Sequence, residues 1–413
     1  MTWFHESSLQ SRVSFGLLAF LFLSLLIPWD DVSRFFFFAV SAPLSLVYLY
    51  KQGIPKEFES LPVKVIITIV CYLSLRSFFS DSPFGESFRR FRWGVEILLF
   101  LLCFILAFRE WMSKARFYGT LFAVMAGFAA ISVIGKLLIA GEMPDRIFGF
   151  GFLEHPIRGS STLLIIWSFG AVMLLTSYRL PPRPIHYGIL LVSGLFVLAF
   201  VFLSKSRGPM LSGVLVFLFY LSFILVQSRI DKKRAVVACS FLISLVVTLL
   251  LLGLGEWIYE VVTERGGSYR LGIWAAVVAS LPEYWLFGVG EAVQFVDTVP
   301  GEELRQKYGI SFEHTHNLFL QTLLHGGILA FCLLLFLLGL LTQKICLSQV
   351  KGVRERLAVI TLLGLTVLLN LTDTVRLLSS PTPDWVIFWM PVFFCSMYVW
   401  PHTEDAQQGT RPQ

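Results

Sequence analysis

Apolar stretches as long as a bilayer is thick recur along the whole chain, and they constrain its fold more than any other feature. A helix needs about 20 mostly apolar residues to cross the hydrocarbon core of a membrane. Of the 413 residues 56% are hydrophobic, and the mean hydropathy is +0.74. No stretch is polar enough for a separate soluble domain of ordinary size, so we predict an all-α integral membrane protein.

The runs and their breakers predict twelve spans. They lie at 14–28, 33–50, 62–79, 93–108, 115–140, 159–178, 186–203, 209–227, 234–254, 317–342, 356–371 and 384–400. No small-residue cleavage site follows the first run, so we interpret it as a retained span. The chain then divides into spans one to nine (1–254), a periplasmic loop with an interfacial helix (255–316), spans ten to twelve (317–400) and a cytoplasmic tail (401–413).

Charge sets the orientation and limits the partners. The densest basic clusters, 229–234 and 351–356, are predicted inside, which leaves both termini cytoplasmic. The net charge of +6 suits anionic membrane lipids or an anionic substrate, and without a basic tail it does not indicate nucleic acid. Five of six cysteines lie in apolar runs and no Cys/His spacing suits zinc, so we expect neither a disulfide framework nor a zinc site.

Two histidines stand immediately before span ten, in the segment Glu313–Gln321. A neutral imidazole accepts a proton near neutral pH, so His314 or His316 could act as a general base at the membrane surface. The alternative is that both rings are amphipathic residues at headgroup level.

Four arginines favour the catalytic alternative because they lie on the same predicted outer side: Arg158, Arg207, Arg265 and Arg270. Outward arginines oppose the usual charge bias, so either outer acids or a bound anion must compensate them. For Arg89–Arg92, close to Glu86, we favour ion pairing. Arg158 could pair with Glu154 or contact a ligand.

The turn Ser204–Pro209 holds Arg207 at membrane-surface depth. The guanidinium fork matches phosphate oxygens, and Gly208 would let a ligand approach the backbone. The alternative is an ordinary snorkelling arginine.

The outer loop has its own pattern. Ser268–Leu281, with Leu271, Trp274, Ala275 and Val278 at helical spacing, predicts an interfacial helix capped by Ser268 and ended by Pro282. The segment 285–290 predicts a tight turn against the membrane, and Asp297–Glu313 predicts a loop. We interpret His325, Gly326 and Gly327 as helix packing within span ten.

These residues suit transfer of a sugar from a diphosphate. A hydroxyl that attacks an anomeric carbon needs a base, and the leaving diphosphate needs positive charge. We favour His316 as base, with Asn317 capping the next helix or orienting the imidazole. His314, which an extended backbone would point elsewhere, becomes a substrate contact. Arginines replace a metal, and the outer loops lack the acidic cluster of a magnesium site, so we expect no cofactor.

Several motifs in order resemble the O-antigen ligase superfamily: Ser206-Arg207-Gly208, Arg270 to Trp274, Trp285 to Gly290, and His314 to Gln321 followed by Gly326-Gly327. The resemblance implies an inverting, metal-independent glycosyltransferase of a Gram-negative inner membrane. It would transfer a polysaccharide from undecaprenyl diphosphate to the lipid A–core oligosaccharide on the periplasmic face. Family roles fall on Arg207 and Arg270 for diphosphate binding and on His316 as base.

Two rival functions remain open. An O-antigen polymerase would act on two lipid diphosphates and therefore need two basic sites, whereas one clear cluster is present. A transporter of lipid-linked glycans would carry ionisable groups deep in several spans. The nearest candidates, Lys136 and Asn370, lie near predicted span ends.

Overall fold

The structure is a computed structural model that describes residues 6–141, 144–177, 183–227, 269–348, 352–373 and 376–400. Every regular element in these ranges is helical. The α-helices are α1 (Glu6–Leu26), α2 (Asp30–Phe35), α3 (Ala42–Gln52), α4 (Leu61–Arg76), α5 (Phe84–Ser113), α6 (Ala115–Ala140), α7 (Pro156–Leu175), α8 (Pro184–Leu203), α9 (Arg207–Gln227), α10 (Arg270–Tyr284), α11 (Val299–Tyr308), α12 (Leu318–Leu347), α13 (Val353–Thr372) and α14 (Met390–Tyr398). The π-helical turns Phe36–Ser41 and Trp385–Trp389 precede α3 and α14.

Ten helical segments in these ranges are long and apolar enough to cross a membrane, and they overlap ten of the twelve predicted spans. The prediction of an all-α integral membrane protein is confirmed. The predicted span 234–254 lies outside the described residues. The predicted span 384–400 is a shorter helix, Trp385–Tyr398, whose side chains are all buried. Because protein surrounds this helix, its length need not match the bilayer.

The centre of the bundle is α7, of whose apolar window 89% is buried inside the protein. Small residues let its neighbours approach. A Cβ on Gly119 of α6 would lie 2.9 Å from the carbonyl oxygen of Gly170, and a Cβ on Gly170 would lie 2.6 Å from that of Gly119. Close backbone approach at small residues is a usual way for helices to pack in membranes, where apolar burial alone gives little preference for protein over lipid.

A kink interrupts α12 at Gly327, whose φ is +68°. The segment after α10 supplies the missing backbone partners: Val289 N donates to Leu324 O (2.8 Å), Gly290 N to His325 O (2.9 Å), and Ile328 N to Trp285 O (2.8 Å). The interpretation of this region as ordinary helix packing was therefore incomplete. A glycine at the kink admits a second chain segment and its hydrogen bonds into the helix.

The helix predicted over Ser268–Leu281 is present as α10, although Pro282 lies inside it instead of ending it. Its predicted capping residue, Ser268, lies outside the described residues. Leu271 and Val278 are 72% and 54% exposed, while Ile273 and Val277 are buried. An exposed apolar face beside a buried one fits a helix that packs on the protein and presents its other side to lipid.

The prediction of a loop over Asp297–Glu313 was wrong, because this segment contains α11. Thr298 caps this helix by accepting a hydrogen bond from Gly301 N, Pro300 stands in its first turn, and Gly309 ends it at φ +68°. These are ordinary start and stop signals. The low hydropathy of the segment concealed them, because hydropathy identifies only apolar helices.

Alternate helix ends meet on one face of the bundle. Arg146 Nε donates to Ser204 O at 3.0 Å, Arg76 Nη2 to Gly288 O at 2.8 Å, and Asn317 Nδ2 to Leu371 O at 3.2 Å. These bonds connect polar segments far apart in sequence. The same face carries both histidines and the described candidate arginines.

Candidate active site

Asn317 holds the start of α12 in place. Its Oδ1 accepts hydrogen bonds from Phe319 N (2.9 Å) and Leu320 N (3.1 Å), and its Nδ2 reaches Leu371 O at the end of α13. The sequence suggested that Asn317 either caps the next helix or orients the imidazole, and the structure shows the capping role. Because one side chain joins both helix ends, the residue before it is fixed relative to α13.

The backbone before the cap is equally constrained. Thr315 is fully buried; its N–H donates to Gln321 Oε1 at 2.9 Å, and its carbonyl accepts from Trp274 Nε1 at 3.0 Å. His316 itself has φ +55°. A left-handed conformation is uncommon for a residue with a Cβ and persists where surrounding contacts demand it. The turn therefore determines the direction of the His316 ring.

Both histidine rings face one carboxylate, that of Asp373, immediately after α13. His316 Nδ1 lies 2.8 Å from Asp373 Oδ1, and His314 Nε2 lies 3.8 Å from the same oxygen. The ring centroids are 4.1 Å apart. The expectation that His314 points elsewhere was wrong, since both rings face Asp373. Even a fully extended backbone places side chains two residues apart on the same side of the chain.

Sequence reasoning missed Asp373, which lies 57 residues beyond His316. One signal was available. Asp373 is an acid at the end of predicted span eleven, on the side where the histidines begin span ten. An acid there needs a partner. Because successive spans are antiparallel, the start of span ten lies beside the end of span eleven, and the histidines could have been recognised as that partner.

Asp373 is ionised and sets the tautomer of His316. Its side chain is 3% exposed. Burial by itself raises the pKa of Asp373, but hydrogen bonds and charge from His314 and His316 outweigh burial and hold the pKa well below its usual range. An ionised carboxylate accepts only, so His316 Nδ1 carries the proton and donates it. The lone pair of His316 is then on Nε2.

Arg207 and Arg270 begin two helices near this pair. Arg207 is the first, exposed residue of α9, and Arg270 is the first, half-buried residue of α10. Burial lowers the pKa of Arg270, the charge of Asp373 raises it and the charge of Arg207 lowers it. Arg270 thus experiences both the carboxylate and the second guanidinium. Arg265 lies outside the described residues.

Gly208, which was expected to let a ligand approach the backbone, is closely packed against another helix. A Cβ at this position would lie 2.6 Å from Thr372 Oγ1. The glycine allows α9 to contact the end of α13, directly before Asp373.

Arg158 lies in the first turn of α7, where its backbone N–H donates to His155 Nδ1 at 3.4 Å. Within the described residues its guanidinium forms no ion pair with Glu154, the structural alternative considered from sequence. Its charge acts instead on buried Asp384. Burial raises the pKa of Asp384, while the charge of Arg158 lowers it.

Several other outer cations pair with acids, as predicted. Arg90 is the exception within Arg89–Arg92, since it is buried and its guanidinium lies 4.3 Å from the centre of the Trp93 ring. Arg89 pairs with Glu86, Arg92 Nε lies 3.3 Å from Glu96 Oε1, and Lys205 Nζ lies 2.5 Å from Asp145 Oδ1. Among the described residues, these pairs distinguish such cations from Arg158 and Arg270, which form no ion pair.

A second buried polar cluster, missed from sequence, follows Asp373. Arg376 is 5% exposed, and its Nη1 donates to the carbonyl oxygen of Glu291 at 2.6 Å. Burial lowers the pKa of Arg376, and the charge of Glu291 raises it. This contact fastens the loop that carries Asp373 to the segment inserted at the α12 kink.

The fold and this one-sided polar site define a class: multi-pass helical membrane proteins with ionisable groups gathered at one end of the bundle. Residues 189–337 match the family model described as O-Antigen ligase. An O-antigen ligase of Pseudomonas aeruginosa is 23% identical over 375 residues, which cover 88% of this chain and 84% of that protein. By these two comparisons the chain is similar to O-antigen ligases. The family-model match includes both histidines, Arg207 and Arg270 and ends before Asp373.

Proposed function

We propose that this chain is a glycosyltransferase that moves an O-antigen polysaccharide from undecaprenyl diphosphate to the lipid A–core oligosaccharide. The similarity to O-antigen ligases supports a role in the ligation of O-antigen in lipopolysaccharide biosynthesis. The observation that carries the chemistry is the 2.8 Å contact of His316 Nδ1 with the buried carboxylate of Asp373, close to the positive charge of Arg270.

His316 Nε2 acts as the general base. A hydroxyl of the acceptor sugar gives its proton to Nε2, and its oxygen bonds to the anomeric carbon of the donor. The bond from that carbon to the diphosphate oxygen breaks, and the diphosphate takes the electron pair. Attack opposite the leaving group inverts the anomeric centre. Asp373 stabilises the imidazolium that forms, as a carboxylate behind a catalytic imidazole does.

Arg207 and Arg270 bind the diphosphate. Charge develops on the leaving oxygens as the bond breaks, and guanidinium groups already in position stabilise that charge without reorganising. Each guanidinium offers paired donors that match phosphate oxygens. Arginines supply the positive charge in this scheme, which therefore needs no metal. Arg158 and His314 contact the sugar or the acceptor, and Arg265 extends the diphosphate contacts.

The site faces the periplasm in this proposal. The positive-inside rule predicts the basic clusters 229–234 and 351–356 on the opposite side. Both termini would then lie in the cytoplasm and the catalytic face at the outer leaflet of the inner membrane. A donor with a polyisoprenoid tail then reaches the site laterally from the bilayer. The domain division at 254, 316 and 400 follows the same orientation.

The banding pattern of lipopolysaccharide tests the proposal. In cells without this protein, we expect loss of long-chain lipopolysaccharide and accumulation of lipid-linked polymer. Lipopolysaccharide with one repeat unit would instead indicate a polymerase, and retained lipid-linked glycan on the cytoplasmic leaflet would indicate a transporter.

Complementation by His316→Ala tests the base. We expect a fall of about 10²–10⁴-fold in ligation with normal protein abundance. His186→Gln is the matched control, since His186 bonds Thr120 at 3.1 Å, far from the site in sequence and on another helix end. Full-length product at normal yield from His316→Ala would refute the assignment.

A further inference from the structure

The two histidines and the carboxylate have a second chemical capacity. We propose that His314, His316 and Asp373 form a binding site for Zn²⁺, and that zinc occupancy switches off the transferase. Binding is independent of the proposed function, whereas the inhibitory effect rests on it.

The distances suit zinc. Zinc binds imidazole nitrogen and carboxylate oxygen at about 2.0–2.2 Å, so two ligand atoms of a tetrahedral site lie about 3.3 Å apart. His316 Nδ1 and His314 Nε2 lie 2.8 Å and 3.8 Å from Asp373 Oδ1, which brackets that separation. One ligand atom from each of the three residues lies within 4.8 Å of the others. Rotation of the two half-buried histidine side chains would bring the three ligand atoms to the separations that zinc requires.

Burial of the carboxylate supports a cation ligand. Asp373 Oδ2 is buried, and within the described residues it has no hydrogen-bond partner. A buried carboxylate with spare acceptor capacity favours a cation. The two histidine side chains are 16% and 27% exposed, so the ion can enter from the outer face.

The surroundings limit the affinity. Asp384 adds a second carboxylate close to the three residues, and Arg158 and Arg270 oppose it with positive charge. Three protein ligands also hold zinc less tightly than the four of structural sites, and they leave one position for water. We expect a Kd of about 1–100 µM, far weaker than a structural zinc site.

Inhibition follows from the tautomer. With Nδ1–H donating to Asp373, His316 has its basic lone pair on Nε2. Zinc on Nδ1 needs the Nδ1 lone pair, so the neutral imidazole must carry its proton on Nε2 instead of Nδ1. His316 loses no net proton, but Nε2 is already protonated and can no longer take the proton of the acceptor hydroxyl. The metal therefore competes with the base function without having to block the cavity.

The direct test is zinc titration by calorimetry of the detergent-purified full-length chain, which carries an affinity tag without histidine. We expect one equivalent bound by the wild type and at least a tenfold weaker Kd for His314→Ala. His314→Ala is the primary variant because its contact with Asp373 is the longer of the two. Asp373→Asn is the second, and thermal unfolding of each variant checks its fold.

His186→Gln is the control and should bind zinc like the wild type. The absence of a stoichiometric site in the wild type would overturn the proposal, and so would binding unchanged in both variants. Cobalt(II) gives a separate readout, since a four-coordinate site produces intense visible absorption that His314→Ala should remove.

A ligation assay tests the inhibitory effect. Zinc at ten times its Kd should reduce wild-type activity at least fivefold, and a chelator should restore it. In His314→Gln, zinc should have little effect, so that the ratio of activity without zinc to activity with zinc falls towards one. This holds whatever the rate of the variant without zinc. Zinc that binds at the site yet stimulates ligation would overturn the inhibitory role. Binding at the site in a chain that proves inactive as a ligase would refute the proposed function alone.

Discussion

At the scale of single residues, the proposed chemistry depends on which nitrogen of His316 carries the proton. The buried Asp373 carboxylate accepts a hydrogen bond from Nδ1 and so keeps the proton on that nitrogen. The same carboxylate lies 3.8 Å from His314, so one acid orders both rings. His316 meets this carboxylate from a left-handed backbone conformation, with φ +55°.

Asp373→Asn should lower the rate of ligation by about 10²–10⁴-fold and change donor KM little. The amide can present its NH₂ to Nδ1, which favours the proton on Nε2, the wrong tautomer for a base. Steady-state kinetics in proteoliposomes with purified donor and acceptor measure both parameters. Asp373→Glu, which keeps the charge, should recover part of the rate. Wild-type kcat in the asparagine variant would show that Asp373 does not act through His316.

Arg207→Lys should lower kcat/KM at least tenfold, or ~1.4 kcal/mol in transition-state stabilisation. A lysine ammonium keeps the charge but lacks the paired donors of a guanidinium. Lys205→Gln in the same turn is the matched control, because Lys205 already pairs with Asp145 at the surface. Its loss should change the rate less than about twofold. Equal effects of both substitutions would favour a general electrostatic role for the turn.

At the scale of elements, the kink of α12 joins the bundle to the segment Trp285–Gly290, here called the roof. Gly327 at φ +68° opens the helix, and Trp285, Val289 and Gly290 complete its hydrogen bonds. Tyr72 adds a bond from its hydroxyl to Gly326 O at 2.9 Å. The roof therefore connects to α12 by backbone bonds, which hold it more firmly than side-chain contacts would.

Gly327→Ala should destabilise the protein by at least about 1–3 kcal/mol, since φ is positive and the added Cβ would lie 2.2 Å from Leu286 O. Thermal unfolding in detergent measures the change. Gly339→Ala lies in the same helix, with nothing within 4 Å of the added Cβ. It should leave stability unchanged or raise it slightly. Equal melting temperatures for the two variants would mean that the kink tolerates a side chain.

At the scale of the whole molecule, the helices alternate direction so that polar segments gather at one end. Arg146, Arg76 and Asn317 make their bonds to other segments at that end. The orientation proposed from loop charges directs it to the periplasm.

Cysteine labelling tests that orientation. In a background with its six cysteines replaced by serine, Gln306→Cys on exposed α11 should react in intact spheroplasts with a membrane-impermeant maleimide. Ser113→Cys, exposed at the end of α5, should react only after permeabilisation. The reverse pattern would invert the topology and place the histidines in the cytoplasm.

The sequence alone determined the class of fold and most of its elements. Apolar runs predicted ten spans that overlap the helical ones, because the cost of backbone and polar side chains in lipid acts locally on each segment. The interfacial helix and the ion pairing of Arg89 and Arg92 were equally readable, since both depend on neighbours three or four residues away. The helix over Val299–Tyr308 was readable too, but its polarity concealed it.

Only the tertiary structure decided which side chains meet. Asp373 lies 57 residues from His316, Glu291 lies 85 residues from Arg376, and Trp274 lies 41 residues from Thr315. Hydropathy and helix signals are summed over a few turns, so they hold no information about partners on separate helices. Those partners depend on how the helices pack and on two left-handed backbone positions, His316 and Gly327, that redirect the chain at the site.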